Sequence, residues 1–309
     1  MGVLSFFGLE QAGDRTWEMI VHERLCTMGG FLFGGAALGA AVAVAEEFAE
    51  KPLVWATAQY SSFAHPGERL ALKLDERARG SNLVQLGVRG AVGDREVFSV
   101  LCALGRRREE IRSTWVRRPL VPPPTDCPPR RRRDGRAPTG VSAIFGEALA
   151  IGRQPDELDG TPGDGRSALW VGLPEGLPVC ASVLAIVADH VPFGISQALG
   201  EPYGGTSLDN TLRIVGLSEA EHVLVEVEIE AVAAGVAHGS ARLWSPGGDL
   251  LALASQTAAM RRWTSPSASE QRRAITLAAS DRNDRSEVRE TSGGSIDPSI
   301  DRNVGRKTR

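Results

Sequence analysis

The chain has 309 residues, 42% of them apolar, and a formal net charge of −3. That length suggests two domains of ordinary size, each able to bury a core, and the near balance of charge argues against nucleic acid as a partner. Four widely separated cysteines, Cys26, Cys102, Cys127 and Cys180, fit no metal-ligand spacing, and the N-terminus shows neither a signal-like segment nor a myristoylation pattern, so reduced thiols in a soluble, cytoplasmic protein are expected.

Residues 1–24 place Trp17, Ile20 and Val21 beside Glu18 and Glu23, an amphipathic lead-in of strand or short helix. The uncharged run 25–45 follows. At about 20 residues it is long enough to cross a bilayer, and Gly30/Gly34 and Gly35/Gly39 have the small-xxx-small spacing of packed membrane helices. Its composition points elsewhere: it is mostly Gly and Ala, and the doublets Gly29-Gly30 and Gly34-Gly35 weaken its front half as a helix. Only 33–48 reads as continuously helical, and Glu46, Glu47 and Glu50 charge its end. No membrane span is expected. The run reads as a core helix wrapped by sheet, with small residues that let strands come close, and Pro52 stops it. Leu70, Leu72 and Leu74 then alternate with polar or small residues, the period of a strand with one buried face. Residues 83–92 and 97–104 read as two more strands around a Gly93-Asp94 hairpin turn.

From Arg106 to Arg112 the chain is charged, from Pro119 to Pro129 it is proline-rich, and Arg130 to Arg133 form a run of four arginines. Residues 106–166 therefore read as an interdomain connection, and the arginines as its solvated face rather than a nucleic-acid patch. The earlier pattern then returns. Residues 178–188 are a second uncharged run, and 223–229 alternate as 70–74 did. Adding 155 takes Gly80 to Gly235, Gly93 to Gly248, and Leu70, Leu72 and Leu74 to Val225, Val227 and Ile229. This is an internal duplication, with one helix and one antiparallel sheet per half and the halves joined edge to edge. After Trp263 large apolar residues thin out, and a disordered tail is expected over 264–309.

The usual catalytic devices are missing: there is no GxSxG, Walker A, HExxH or GxGxxG pattern, and the five histidines show no ligand spacing. No metal and no cofactor is expected. Polarity instead interrupts the second repeat. Asp189 closes an apolar run, a costly place for a carboxylate without partners. Gln256 lies in the last strand, where the shift of 155 sets it against Leu101, and Ser207 lies in GGTSLDNTL at the start of a strand after a Gly-Gly turn. Each residue alone reads as a cap, a turn or a surface group. Together they form a set that can hold and activate a water, with Asp189 as general base and Ser207 and Gln256 fixing its direction.

The order of these features resembles the acyl-CoA thioesterase II (TesB-like) family. Phe33-Gly34-Gly35 matches the FGG that opens the family's first helix, and Ala188-Asp189 its second-domain S/A-D pair. Ser207-Leu208-Asp209-Asn210 is similar to its T/S-[LI]-D-H strand, Ser255-Gln256 with Arg261 to its closing segment, and residues 124–128 to a piece of its connection. The resemblance covers about residues 15–263. It implies an α+β fold of two fused hotdog domains, each a central helix wrapped by an antiparallel sheet, with the sheets joined edge to edge. The divisions are an N-terminal domain over 1–105, the connection over 106–166, a C-terminal domain over 167–263 and the tail. It also implies hydrolysis of acyl-CoA by a water held by Asp189, Ser207 and Gln256. Gly34 and Gly35 at the helix start would contact the substrate, and arginines near the domain junction would meet the CoA phosphates. Such a chain works as a monomer or pairs through its sheets. Asn210 stands where the family has His, Thr257 where it has Glu, and Ala36 where Gln often follows FGG. A binding protein without turnover is the alternative. A hydratase of the same fold needs an Asp and a His five residues apart, and here His190 follows Asp189 directly while position 194 is glycine.

Overall fold

The computed structural model describes residues 2–106, 111 and 113–263. The tail 264–309, and with it the expected disorder, lies outside the described residues, as does most of 107–112. Helix α1 (Val3–Phe7) and strands β1 (Glu10–Gly13) and β2 (Thr16–Ile20) lead into the long helix α2 (Gly34–Ala49). Strands β3 (Leu53–Tyr60), β4 (Arg69–Arg79), β5 (Leu83–Val92) and β6 (Arg95–Gly105) follow. A short α3 (Val141–Ile144) precedes β7 (Glu147–Ile151) and β8 (Arg166–Gly172), then come α4 (Ala181–Ala188) and α5 (Val191–Leu199). Strands β9 (Tyr203–Ser207), β10 (Asp209–Ile214), β11 (His222–Ala233), β12 (Val236–Trp244) and β13 (Leu250–Arg262) complete the order.

The strands form one 13-stranded sheet in the order β1-β2-β4-β5-β6-β3-β10-β13-β12-β11-β8-β7, with β9 pairing β13 off this path. At its middle β3 runs antiparallel to β10, with Thr57 opposite Thr211 and their Oγ1 atoms 2.8 Å apart. The ladders repeat on either side, but not at a constant shift. β5 and β6 close on Val92 opposite Arg95, whereas β12 and β13 close on Trp244 opposite Leu250 around a longer loop. The register therefore slips across the second hairpin. Leu86 faces Cys102 in the first half and Gly239 faces Gln256 in the second. The counterpart of Gln256 is thus buried Cys102, not Leu101, which is half exposed on the other face of β6.

Alanine and glycine dominate α2, so it can be enclosed on nearly all sides, and Ala36 to Ala45 are buried. The expectation that its small residues admit strands needs correction, because they admit a helix. A Cβ on Gly35 would lie 2.9 Å from the Ala185 carbonyl oxygen, and one on Gly39 2.6 Å from that of Ser182. α4 thus packs antiparallel on α2 through the Gly35/Gly39 pair. One helical stretch, Ala181–Leu199, is long and apolar enough by length and composition to cross a membrane, and 72% of its most apolar window is buried inside the protein.

The stretch 106–166 is more than a connection. It contributes α3 and β7, because the apolar residues of EALAI at 147–151 pair with β8. Its prolines lie on the sheet. Trp170 Nε1 donates to the Pro122 carbonyl at 2.9 Å, and Cys127, Trp170, Leu224 and Trp244 form a small second core with Val121 against it. Residues 128–130 run along the outer side of β7, where Leu149 N–H donates to Pro128 O and Arg130 N–H to Glu147 O, each at 2.8 Å.

Candidate active site

Helices α4 and α5 are one apolar run in sequence, broken by Pro192. A prolyl nitrogen cannot donate to the Ala188 carbonyl one turn back, and its ring crowds that oxygen. The carbonyl accepts instead from His190 N–H at 2.9 Å, and Asp189 leaves helical geometry at φ −82°, ψ 53°. The break leaves the Asp189 side chain inside the protein, 5% exposed.

A buried carboxylate requires donors, and the fold delivers them from three elements. Oδ2 accepts the Gly35 N–H of α2 at 2.6 Å. Oδ1 accepts the Ser207 hydroxyl at 3.3 Å and the Gln256 side-chain amide. Gln256 Nε2 also donates to Ser207 Oγ at 3.2 Å, while its Oε1 accepts the Val191 N–H at 3.2 Å. The helix break frees that N–H, and with it fixes which end of the amide faces Asp189. Asp189, Ser207 and Gln256 therefore meet at one carboxylate.

Gly34 and Gly35 lie against this carboxylate. A Cβ on Gly34 would stand 2.8 Å from Asp189 Oδ2, and one on Gly35 2.8 Å from Asp189 Cβ. α2 has no side-chain cap at Phe33. Asp189 supplies the anion that the unpaired N–H groups and partial positive charge of a helix start favour. Ser207 ends β9 rather than opening a strand, and Gly204 and Gly205 lie within β9 instead of forming a turn. Side chains there would strike Trp263 and Ala258.

Burial pushes the Asp189 carboxyl above the usual carboxylate range, and Gln256, Gly35, His190 and Ser207 pull it part of the way back. His190 is itself buried, with Nδ1 2.9 Å from Val187 O and Nε2 3.4 Å from Glu147 Oε1. Glu147 also pairs with Arg130. Burial alone would raise the Glu147 carboxyl, but Arg130 and His190 outweigh it and hold it at about 2.

Tyr60 is a site residue that motif reading misses. It ends β3 in the other half, and its hydroxyl donates to Gly34 O at 2.8 Å. Burial, then the Asp189 charge, push its phenol well above the ordinary value, so it stays a neutral donor. The only sequence signal is its rarity, as one of two tyrosines. Asn210 of β10, opposite Ala58 of β3, is fully buried beside the Tyr60 phenol. No group of three His, Cys, Asp or Glu side chains able to hold a metal ion occurs among the described residues.

A family model described as the acyl-CoA thioesterase C-terminal domain matches residues 124–260. A solved structure from Novosphingobium aromaticivorans, assigned as a thioesterase, is 31% identical with a TM-score of 0.72, covering 82% of this chain and 98% of that one. A hot dog fold protein of unknown function from Alicyclobacillus acidocaldarius is 19% identical, with a TM-score of 0.74 and coverage of 85% and 98%. An acyl-CoA thioesterase II from Mycobacterium marinum is also 19% identical, with a TM-score of 0.67 and coverage of 85% and 99%. The last two show the hotdog fold alone. No curated protein matches the chain. The first relative, at 31% identity over nearly its whole length, together with the matching family model, places this chain in the acyl-CoA thioesterase II (TesB-like) family.

Proposed function

We propose that the protein hydrolyses acyl-CoA thioesters to free fatty acid and CoA by direct attack of a water held by Asp189, Ser207 and Gln256. The observation that carries this reading is the convergence of the Ser207 hydroxyl and the Gln256 amide on one buried carboxylate oxygen. Asp189 takes a proton as the water oxygen adds to the thioester carbonyl carbon. The tetrahedral adduct then collapses, the C–S bond breaks, and the proton passes to the leaving sulfur. A carboxylate raised toward the working pH is the better proton acceptor.

The oxyanion needs N–H donors, and we assign them to the start of α2 at Gly34 and Gly35. Proton uptake by Asp189 neutralises the acceptor that holds the Gly35 N–H, so that donor turns to the substrate oxygen as charge builds there. For the architecture, the β3–β10 pairing supports a reading as two fused hotdog domains, 1–105 and 167–263, with their sheets joined edge to edge. The chain would then act as a monomer or as a homo-oligomer through its sheets.

Thiol release from acyl-CoAs of varied chain length tests the reading. Asp189→Ala should lower kcat/KM by about 100-fold or more, the usual cost of a lost general base. Absence of release from every chain length would overturn the hydrolase and leave an acyl-CoA-binding protein. Equal activity in the variant would overturn the residue assignment.

A further inference from the structure

The arginine run is a solvated face, with Arg131, Arg133 and Arg136 exposed, and it is also concave. Arg130, Arg131, Arg132, Arg133 and Arg136 line a cleft of about 400 Å³, with Asp156 on its wall. Three of the five guanidiniums are matched by carboxylates: Arg130 by Glu147, Arg131 by Asp156 at 2.7 Å and Arg132 by Asp134 at 2.5 Å. Arg133 donates only to the Trp263 carbonyl, at 3.3 Å. The Arg136 side chain has no carboxylate within ion-pair distance among the described residues. The cleft therefore holds two positive charges in excess, within a chain whose formal charge is −3.

Its position gives that charge a use. The Arg130 guanidinium lies 4.6 Å from the centre of the Phe193 ring in the first turn of α5. Through Glu147 it reaches His190, next to Asp189. One end of the cleft thus abuts the helix break that carries the carboxylate. Clustered guanidiniums are planar, permanently charged forks that match phosphate oxygens. A thioester on a phosphate-rich nucleotide handle would be anchored there, with its acyl end toward Asp189.

We propose that this cleft binds the nucleotide phosphates of coenzyme A, with Arg133 and Arg136 supplying the unneutralised charge. The proposal rests on the acyl-CoA reading of the Asp189 site. The full chain and an Arg133→Ala/Arg136→Ala variant should be compared on acyl-CoA and on the matching acyl-pantetheine, which has no phosphate. Wild type should prefer acyl-CoA in kcat/KM, and the variant should lose that preference by roughly tenfold to a hundredfold through KM, as expected for two charged hydrogen-bonding partners. Adenosine 3′,5′-bisphosphate should compete with acyl-CoA in wild type and far less in the variant. Arg133→Lys/Arg136→Lys should recover part of the preference, which separates charge from misfolding. An unchanged preference in the alanine variant, or no competition by the bisphosphate at millimolar concentration, overturns the proposal. If no thioester is hydrolysed at all, calorimetric titration with CoA still decides. Binding by wild type that weakens in the variant supports the cleft while the hydrolase reading fails, and absence of binding overturns both.

Discussion

At Asp189 burial raises the carboxyl while hydrogen bonds and His190 lower it, and in the proposed mechanism the base works in its ionised form. Activity must therefore fall as pH drops through a value above the ordinary carboxylate range. Replacing Gln256 by Met removes the largest lowering contact, so the acid limb of a kcat/KM profile should move to higher pH. The sign for stability is opposite to that of a salt-bridged acid. The folded state holds the Asp189 proton more tightly than the unfolded one, so wild type loses stability as pH rises from the usual carboxylate range through the raised value. Asp189→Asn should lack that decline in a series of melting curves. The polar trio was legible as polarity out of place in an apolar pattern. Its meeting point was not, because that depends on where the Pro192 break turns the chain and on a backbone N–H from Val191, which no side chain marks. Tyr60 acts from the opposite half, which no motif of the second half predicts.

The strands around α2 were legible from their period of two, and the helix itself from its alanines. What escaped was the partner of its glycines. Periodicity says that a face is buried but not by what, and spacing of four small residues suits strand or helix alike. The packing makes a directional prediction. In an open helix Gly→Ala stabilises by about 1 kcal/mol, but a Cβ on Gly39 would stand 2.6 Å from a backbone carbonyl and 2.9 Å from the Phe7 ring. Gly39→Ala should therefore destabilise, by roughly 1–3 kcal/mol as overpacking does, and denaturant titration reads the sign directly. The constant shift of 155 failed for a similar reason. Matching glycines locate turns, but only the ladder shows how many residues each turn consumes, and so which residue faces the site.

The main core cluster spans both halves, including Leu38 and Val42 of α2 together with Val183 and Ile186 of α4 and Val225 of β11. With one sheet and this main core running through both halves, neither half has its principal core to itself. Calorimetry should show one cooperative transition for this region, and two resolved peaks would mean that the halves unfold independently. The buried Glu147–Arg130 ion pair, with His190 beside it, should shape acid unfolding. Its stabilisation is present above the ordinary glutamate range and lost as pH falls toward about 2, amounting to a few kcal/mol at neutral pH by linkage. In Glu147→Gln the acid limb should be correspondingly shallower. Composition marked 106–166 as connection because proline and arginine outnumber apolar residues there. The contacts of Val121, Cys127 and 147–151 with the sheet are long-range, and composition does not report them.

The proline-lined outer side of β7 decides where the sheet stops. Pro128 and Pro129 have no N–H to offer a further strand, so this margin cannot act as a template. At the opposite margin β1 is only four residues long and irregular in register between Gln11 and Gly13. Both borders are blunted against strand addition, which keeps a 13-stranded sheet from seeding a longer one in a concentrated solution.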